Sequence, residues 1–364
     1  MTRTSDELAF LRPLVGDLCV VETVYQHDGK IVAALGYRFD REKTNTVLRD
    51  RLELSGYTYT LVESNDHILL TIDRRRSWKI PPVNLILFAL TAFSVYVIPV
   101  FLRTQLEASS LSDAVGRTLS ALSQGDGLVF SLALMSILLV HEMGHFVASR
   151  RRGIITSWPY FIPAPNIIGT FGAIIKSKTP FWNRRDLIEV GAAGPIAGWL
   201  VAVGWLVYGL SESMIVPAAG VPFGQMAFLL EGESILTRII VTGLLGTTPP
   251  GTFYVFTEAA FAGWVGLLVT AINLLPVGQF DGGHITYGLV RQKQGILGWI
   301  TIMILFALGF QSMLWWVFAV FGLIFRVQHP PTLDDTRRPG PAAVAMALAA
   351  LVILLLSFTP IPFR

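Results

Sequence analysis

The chain carries two kinds of hydrophobic patterning, and the change between them falls near residue 80. Before that point apolar and polar positions alternate over short stretches, as they do in half-buried strands. Beyond it the apolar residues form runs of roughly 15 to 24 positions, a length that suits membrane-spanning helices. The pattern predicts a polytopic α-helical membrane protein that begins with a small soluble domain.

The first 78 residues are predicted to form a ββαββ domain. Asp28-Gly29 is a turn signal typical of a hairpin, and a second turn is expected at 64–66. Asp40 can cap a helix of about 14 residues that ends at Ser55-Gly56. The predicted strands are 18–25, 31–39, 57–63 and 67–72.

About seven apolar segments are predicted to cross the membrane. They are 83–102, 127–149, 187–210, 253–275, 295–310, 312–326 and 341–358. Basic clusters at 74–76 and 150–152 flank the first two, and such clusters mark the cytoplasmic side. The chain therefore divides into a cytoplasmic soluble domain at 1–78, a membrane core at 79–326, and a cytoplasmic loop with a last membrane helix at 327–364.

Composition supports the membrane assignment and argues against a nucleic-acid partner. Hydrophobic residues make up 52% of the 364 positions and charged residues 15%, and the mean hydropathy is +0.57. The net charge of +3 arises from basic residues beside apolar segments, so no nucleic-acid partner is expected. The lone cysteine, Cys19, excludes an internal disulfide and is interpreted as a small buried residue. The first ten residues lack the apolar core of a signal peptide, so the first membrane helix is expected to act as the targeting signal.

The motif His141-Glu142-Met143-Gly144-His145 follows an apolar run at 128–140. Two imidazoles four residues apart on a helix can bind the same metal ion, and the glutamate between them can take a proton from metal-bound water. We expect a zinc ion (Zn2+), one per chain, in the cytoplasmic half of the second membrane helix.

A catalytic zinc site needs a third protein ligand, and two residues are candidates. Asp281 and His284 follow a stretch from Asn273 in which proline and glycine interrupt any regular helix. An aspartate at membrane depth is costly unless it is paired or binds a cation, so Asp281 is favoured. A carboxylate facing cytoplasmic water is the alternative, and His284 could ligate instead. Surface or turn roles are expected for the other histidines: His27, His67 and His329.

These two motifs resemble the site-2 protease family of intramembrane zinc metalloproteases. That family pairs HExxH with a downstream Asn-x-x-Pro-x-x-x-Leu-Asp-Gly segment, and this chain has Asn273-Leu-Leu-Pro-Val-Gly-Gln-Phe-Asp281-Gly, with Phe280 in place of leucine. The resemblance covers about residues 81–326. It implies that His141, His145 and Asp281 bind zinc and that Glu142 is the catalytic base and acid.

The resemblance also implies substrate-binding residues. Asn273 is a candidate contact to the substrate backbone, although a role at the helix end is an equal alternative. The segment 169–178, with Gly169, Phe171 and Gly172, resembles the family's re-entrant β segment, whose edge can pair with an extended substrate. A plain cytoplasmic hairpin is the alternative.

Two further features concern the surroundings of the site. The small residues of Gly194-Pro195-Ile-Ala-Gly198 are expected to pack beside the metal-binding helix. No PDZ-like domain is inserted between the catalytic motifs, and the ββαββ domain is expected to take over its recognition role.

The sequence thus predicts an endopeptidase that cleaves a single-pass membrane protein in or near its transmembrane helix, from within the lipid bilayer. The plasma membrane of a prokaryote is the expected location, and an upstream protease or regulatory partner is left unidentified. A transporter with broken helices or a metal-binding scaffold without protease activity are the alternatives. Glu142→Gln distinguishes them, because only the protease depends on this carboxylate.

Overall fold

The amino-terminal part of the computed structural model is a four-stranded antiparallel sheet with two helices. Its elements are α1 (Arg3–Val15), β1 (Cys19–His27), β2 (Lys30–Tyr37), α2 (Arg41–Ser55), β3 (Tyr57–Glu63) and β4 (His67–Arg76). The strand order is β1-β2-β4-β3. The structure describes residues 3–27, 29–63, 66–76, 80–217, 232–247 and 252–362.

The expected ββαββ order is present, and the helix boundaries follow from capping. The carboxylate of Asp40 accepts the Lys43 N–H at 3.0 Å, and Gly56 ends α2 with a left-handed φ of 74°. The helix α1 was not predicted; its Leu11 and Leu14 pack into the core of the sheet. The predicted turns at Asp28 and at 64–65 lie outside the described residues.

Three of the following helices are long and apolar enough to cross a bilayer. They are α3 (Pro82–Gln105), α5 (Leu128–Arg151) and α6 (Arg184–Ser211). A short amphipathic helix, α4 (Leu111–Ser123), connects the first two and was not predicted. The chain is an integral membrane protein by these criteria.

The remaining helices are shorter. They are α7 (Ile235–Leu245), α8 (Glu258–Asn273), α9 (Asp281–Val290), α10 (Gln294–Leu308), α11 (Met313–Ile324) and α12 (Pro341–Ser357). Four of them match predicted membrane segments, but they have only 12 to 17 residues each. A span needs about 20 apolar residues, so the total of seven spans stays a prediction.

Two antiparallel pairs of strands complete the described structure. The first joins β5 (Tyr160–Pro163) to β6 (Thr170–Ile174), and the second joins β7 (Met214–Pro217) to β8 (Thr252–Val255). The predicted β segment at 169–178 therefore contains a strand. Its position as a re-entrant element in a bilayer stays a prediction.

The centre of the membrane core is formed by α5, α6 and α8. Leu134, Leu206 and Trp264, one from each helix, are buried there together. Glycines bring the backbones close: a Cβ on Gly263 would lie 2.4 Å from the Leu206 nitrogen, and one on Gly209 would lie 2.0 Å from the Ala260 nitrogen. Because lipid tails give helices no hydrophobic reason to associate, such close packing supplies the attraction.

The amino-terminal domain docks onto the loops at the carboxyl end of α5 and after β6. The side chain of Arg51 is only 4% exposed, and its Nε donates to the carbonyl of Lys178 at 3.0 Å. Arg150 of α5 donates from Nη2 to the carbonyl of Leu54 at 3.0 Å. Ile155 is buried in the same apolar core as the sheet. The domain is thus joined to the helix that carries the HExxH motif.

Candidate metal centre

The helix α5 places two imidazoles side by side in the membrane core. The run from Leu128 to Val140 contains no glycine or proline, so the helix continues unbroken into the motif. His141 and His145 lie one turn apart on one face, and both are largely shielded from solvent. Their Nε2 atoms are 3.1 Å apart.

Asp281 brings a carboxylate to the same point from a distant part of the chain. Its Oδ2 lies 3.3 Å from Nε2 of His141, and its Oδ1 lies 3.3 Å from Nε2 of His145. The helix break predicted after Asn273 is present, since α8 ends there and α9 begins at Asp281. At the start of α9 the Phe280 carbonyl accepts the His284 N–H at 3.0 Å.

The donor atoms of these three residues fit a zinc ion. Ligands bound at 2.0 to 2.2 Å in a tetrahedron lie about 3.3 to 3.6 Å from one another. The three observed separations of 3.1, 3.3 and 3.3 Å are close to this range. Among the residues that the structure describes, no other cluster of three histidine, cysteine or carboxylate side chains has this geometry.

The carbonyl of Val190 on α6 orients one of the imidazoles. Nδ1 of His145 lies 2.8 Å from this oxygen, so the proton belongs on Nδ1 and Nε2 is left as the electron-pair donor. This contact could not be predicted from the sequence, because a backbone carbonyl carries no signal in the side chain of its residue.

Glycines on α6 make room for the two imidazoles. A Cβ on Gly194 would lie 2.1 Å from Nε2 of His145, and one on Gly198 would lie 2.9 Å from Cβ of His141. Gly144 on α5 meets the Ala193 carbonyl in the same way, at 2.6 Å. The small-residue segment therefore packs beside the metal-binding helix, as expected from the sequence.

Glu142 lies on α5 directly after the first imidazole and is buried. It is close enough to His145 and Asp281 to interact with both electrostatically. The site therefore holds a second carboxyl group next to the three donors, in a place where a proton acceptor is useful to hydrolysis.

The part of the chain that carries this site resembles known proteins. Residues 129–314, slightly more than half of the chain, match the profile of peptidase family M50. The chain belongs to peptidase family M50. This confirms the resemblance to site-2 proteases that the two motifs indicated.

Several similar proteins are named as plant zinc metalloproteases. "Probable zinc metalloprotease EGY2, chloroplastic" of Arabidopsis thaliana is 31% identical over 242 residues, which cover 65% of this chain and 42% of the relative. The protein of the same name from Oryza sativa subsp. japonica is 31% identical over 248 residues, 65% of this chain and 43% of the relative. "Probable zinc metalloprotease EGY1, chloroplastic" of Arabidopsis thaliana is 30% identical over 240 residues, which cover 64% of this chain and 43% of the relative.

This M50 chain spans less than half the length of these relatives. No solved structure matches it. Because the relatives are named as chloroplast proteins, the expected location in a prokaryotic plasma membrane receives no support from them. The assignment to a membrane is supported by the family and by the three long apolar helices.

The other candidate ligands of the M50 site lie elsewhere. Nδ1 of His284 lies 2.6 Å from Nε2 of His329, so His284 pairs with that residue and is not part of the donor group. The sequence predicted a surface or turn role for His329; it lies in a loop but is half-buried against His284 and Tyr287. His67 pairs with Glu22 at 3.0 Å on the exposed sheet surface, in line with its expected role.

The predicted substrate-binding residues differ in their exposure and in their packing against the rest of the structure. Asn273 is the last residue of α8 and is half-buried. Gly169 has a left-handed φ of 77°, and a Cβ there would lie 2.5 Å from Cα of Val95, so packing on α3 already requires this glycine. Phe171 is 64% exposed and Gly172, with a φ of 89°, has open space around it. The substrate contacts of all four stay predictions.

Proposed function

We propose that this M50 chain is a zinc-dependent intramembrane endopeptidase, which hydrolyses a peptide bond in or near the transmembrane helix of a membrane-protein substrate. The observation that carries the proposal is that Asp281 of α9 meets His141 and His145 on α5, a helix long enough to span a bilayer. Glu142 lies on the same helix beside them. Relatives that are named as zinc metalloproteases support the choice of metal and of reaction.

Each residue of the site has a distinct role in the proposed reaction. When bound, zinc would supply a Lewis acid that acidifies water and polarises a carbonyl. His141, His145 and Asp281 would hold it and leave one position open. Glu142 accepts the proton of the attacking water and passes it to the leaving nitrogen. The hydrogen bond from His145 to Val190 keeps the imidazole in the orientation that this requires.

The site lies near one end of α5, which bears on where cleavage occurs. His145 precedes the basic cluster 150–152 by five residues, or roughly 7–8 Å at 1.5 Å per residue. The positive-inside rule supports placing that end, the docked amino-terminal domain and the opening of the site on the cytoplasmic side of a cell membrane. We therefore expect cleavage near the cytoplasmic end of a single-pass substrate.

The substrate must unwind before it reaches the metal, because a helix hides its amides in internal hydrogen bonds. The strand β6 offers a partner: among the described strands it pairs only with β5, so its other edge is available for an extended segment. Phe171 projects from this strand into exposed space and would contact the substrate side chains. Asn273, Gly169 and Gly172 are assigned to the same binding path.

The proposed organisation follows from these assignments. Residues 1–78 form the soluble domain, 79–326 the protease core and 327–364 a loop with the last of about seven membrane helices. The docking of Arg51 and Arg150 supports a role for the soluble domain in presenting substrates to the core, in place of a PDZ-like domain.

The proposal is tested by expressing the chain together with a library of tagged single-pass membrane proteins. Glu142→Gln should reduce cleavage by at least about a hundredfold, while zinc stays stoichiometric in the purified protein. Asp281→Ala should lose the zinc itself. Glu107→Gln, a substitution of the same chemistry at an exposed position, is the matched control and should cleave normally. Normal cleavage by Glu142→Gln, or wild-type protein without zinc, would refute the proposal.

A further inference from the structure

The loop that precedes Asp281 depends on other parts of the chain for its shape. Residues 274–280 connect α8 to α9 and contain Pro276, which has no N–H to donate. The N–H of Gly278 bonds to the carbonyl of Val327 at 3.0 Å, in the loop that follows α11. Gly278 has a φ of 51°, and a Cβ there would lie 2.0 Å from the carbonyl of Arg326. The segment 274–280, which precedes Asp281, is therefore held by contacts with the loop after α11.

Gln294, the first residue of α10, joins these two loops. Its Nε2 donates to the carbonyls of Pro276 at 3.0 Å and of Val327 at 3.1 Å. Its Oε1 accepts the N–H of His329 at 2.9 Å. Every donor and acceptor atom of the carboxamide is thus used, with the side chain only 1% exposed. Loss of these bonds would take away the described partners of the Pro276 carbonyl and the His329 N–H, and would leave the Val327 carbonyl with the Gly278 N–H alone.

The loop after α11 is itself bound to the start of α6, so the Gln294 carboxamide binds a fixed part of the structure. The N–H groups of Leu333 and Asp334 donate to the carbonyls of Phe181 and Trp182 at 3.1 and 2.8 Å, just before α6 begins. Arg184 of α6 donates from Nε to the carbonyl of Arg337 at 3.1 Å. The loop is therefore fixed to the same helix that packs against both imidazoles of the metal centre.

We infer that Gln294 is a positioning residue for the third metal ligand. By binding the carbonyl of Pro276 on one side and the loop after α11 on the other, it fixes the 274–280 segment and hence the place of Asp281 relative to His141 and His145. The inference rests on the proposed function, since it assumes that these three residues hold zinc. Gln294 touches neither the donors nor the substrate path and acts only through the backbone.

Three variants of the full chain test this role. Gln294→Met keeps the volume of the side chain and removes all three hydrogen bonds. Gln294→Glu is nearly isosteric and keeps the acceptor for the His329 N–H, so it answers the question if the methionine variant does not fold. Gln292→Met, two residues earlier and exposed, is the matched control.

Zinc affinity is measured by competition with a chromogenic chelator, and the ligand geometry by the visible absorption of the cobalt-substituted protein. Gln294→Met should weaken zinc binding by roughly tenfold or more, change the cobalt spectrum, and lower kcat with little change in KM. The control should match wild type in all three measurements. Thermal unfolding of the metal-free proteins separates this effect from a general loss of stability.

An unchanged zinc affinity and cobalt spectrum in a folded Gln294 variant would overturn the inference, even if that variant unfolds at a lower temperature. The glutamine would then stabilise the two loops without positioning the ligand. Failure of the proposed function gives a different result: the wild-type chain would bind no zinc or cleave nothing, whatever residue 294 is.

Discussion

The close packing of Gly194 against an imidazole yields the sharpest prediction. A Cβ at this position would lie 2.1 Å from Nε2 of His145, about 1.3 Å short of the 3.4 Å at which ordinary contact begins. Neither partner can yield easily, because Nδ1 of His145 is held by the Val190 carbonyl and Gly194 lies inside a helix. In Gly194→Ala the imidazole or the whole of α6 must therefore shift by about an ångström.

A shift of this size is large for a catalytic site. Misplacement by about 1 Å costs on the order of a hundredfold in rate, and overpacking of a core costs about 1–3 kcal/mol in stability. We therefore expect Gly194→Ala to lose at least about 99% of its cleavage activity and to bind zinc about ten- to a hundredfold more weakly. Gly198→Ala should be milder, since its Cβ would meet the Cβ of His141 at 2.9 Å rather than a donor atom.

Gly204→Ala provides the matched control on the same helix. No heavy atom lies within 4 Å of a Cβ at this exposed position, so the variant should cleave and bind zinc like wild type. Its stability should be equal or higher, because alanine favours a helix over glycine by about 1 kcal/mol. Cleavage of a tagged single-pass substrate, zinc content and thermal unfolding are measured on all three variants. If Gly194→Ala kept wild-type zinc affinity and cleavage, the structural account of the site would be wrong.

Three further predictions concern the soluble domain and the substrate strand. Arg51→Met breaks a buried ion pair with Asp17 and should destabilise the domain by about 3 kcal/mol in thermal unfolding. Arg49→Met, whose ion pair is exposed, should leave the stability nearly unchanged. Burial, with the charge of Asp17 adding to it, raises the pKa of Cys19 to about 11 from an ordinary 9.0. Maleimide should therefore label this thiol at pH 8 only after denaturation, and rapid labelling of the folded protein would contradict the burial of Cys19. The stability that the protonated thiol contributes should decline as the pH rises from about 9 towards 11. Phe171→Ala should raise KM several-fold with little change in kcat, and an unaltered KM would exclude β6 as the substrate strand.

Much of the local structure could be read from neighbouring residues. Asp40 and Gly56 delimit α2 because capping involves groups only a few positions apart. The long apolar runs produce α3, α5 and α6 because a membrane helix satisfies its own backbone. The helix α1 escaped prediction because its stability comes from packing on the sheet, which a short segment does not reveal.

The chemistry of the candidate site also follows in large part from the sequence. The one-turn spacing of His141 and His145 fixes their common direction, and the break before Asp281 identifies the segment that supplies a third donor. These features identify the candidate metal-binding residues. They leave undecided how the carboxylate approaches the imidazoles and what holds it there.

Tertiary structure decided the rest, because the remaining contacts join residues far apart in the chain and many of them end on backbone atoms. The carbonyl of Val190, the missing Cβ of Gly194 and the carboxamide of Gln294 shape the metal centre, yet each would look ordinary in its own stretch of sequence. The sequence by itself determined which side chains can bind zinc. Only the packing of α5, α6, α9 and α10 determined that the donor atoms of His141, His145 and Asp281 lie within 3.3 Å of one another. The reason is that the effect of a backbone carbonyl or of a missing Cβ depends on which distant residue packs against it.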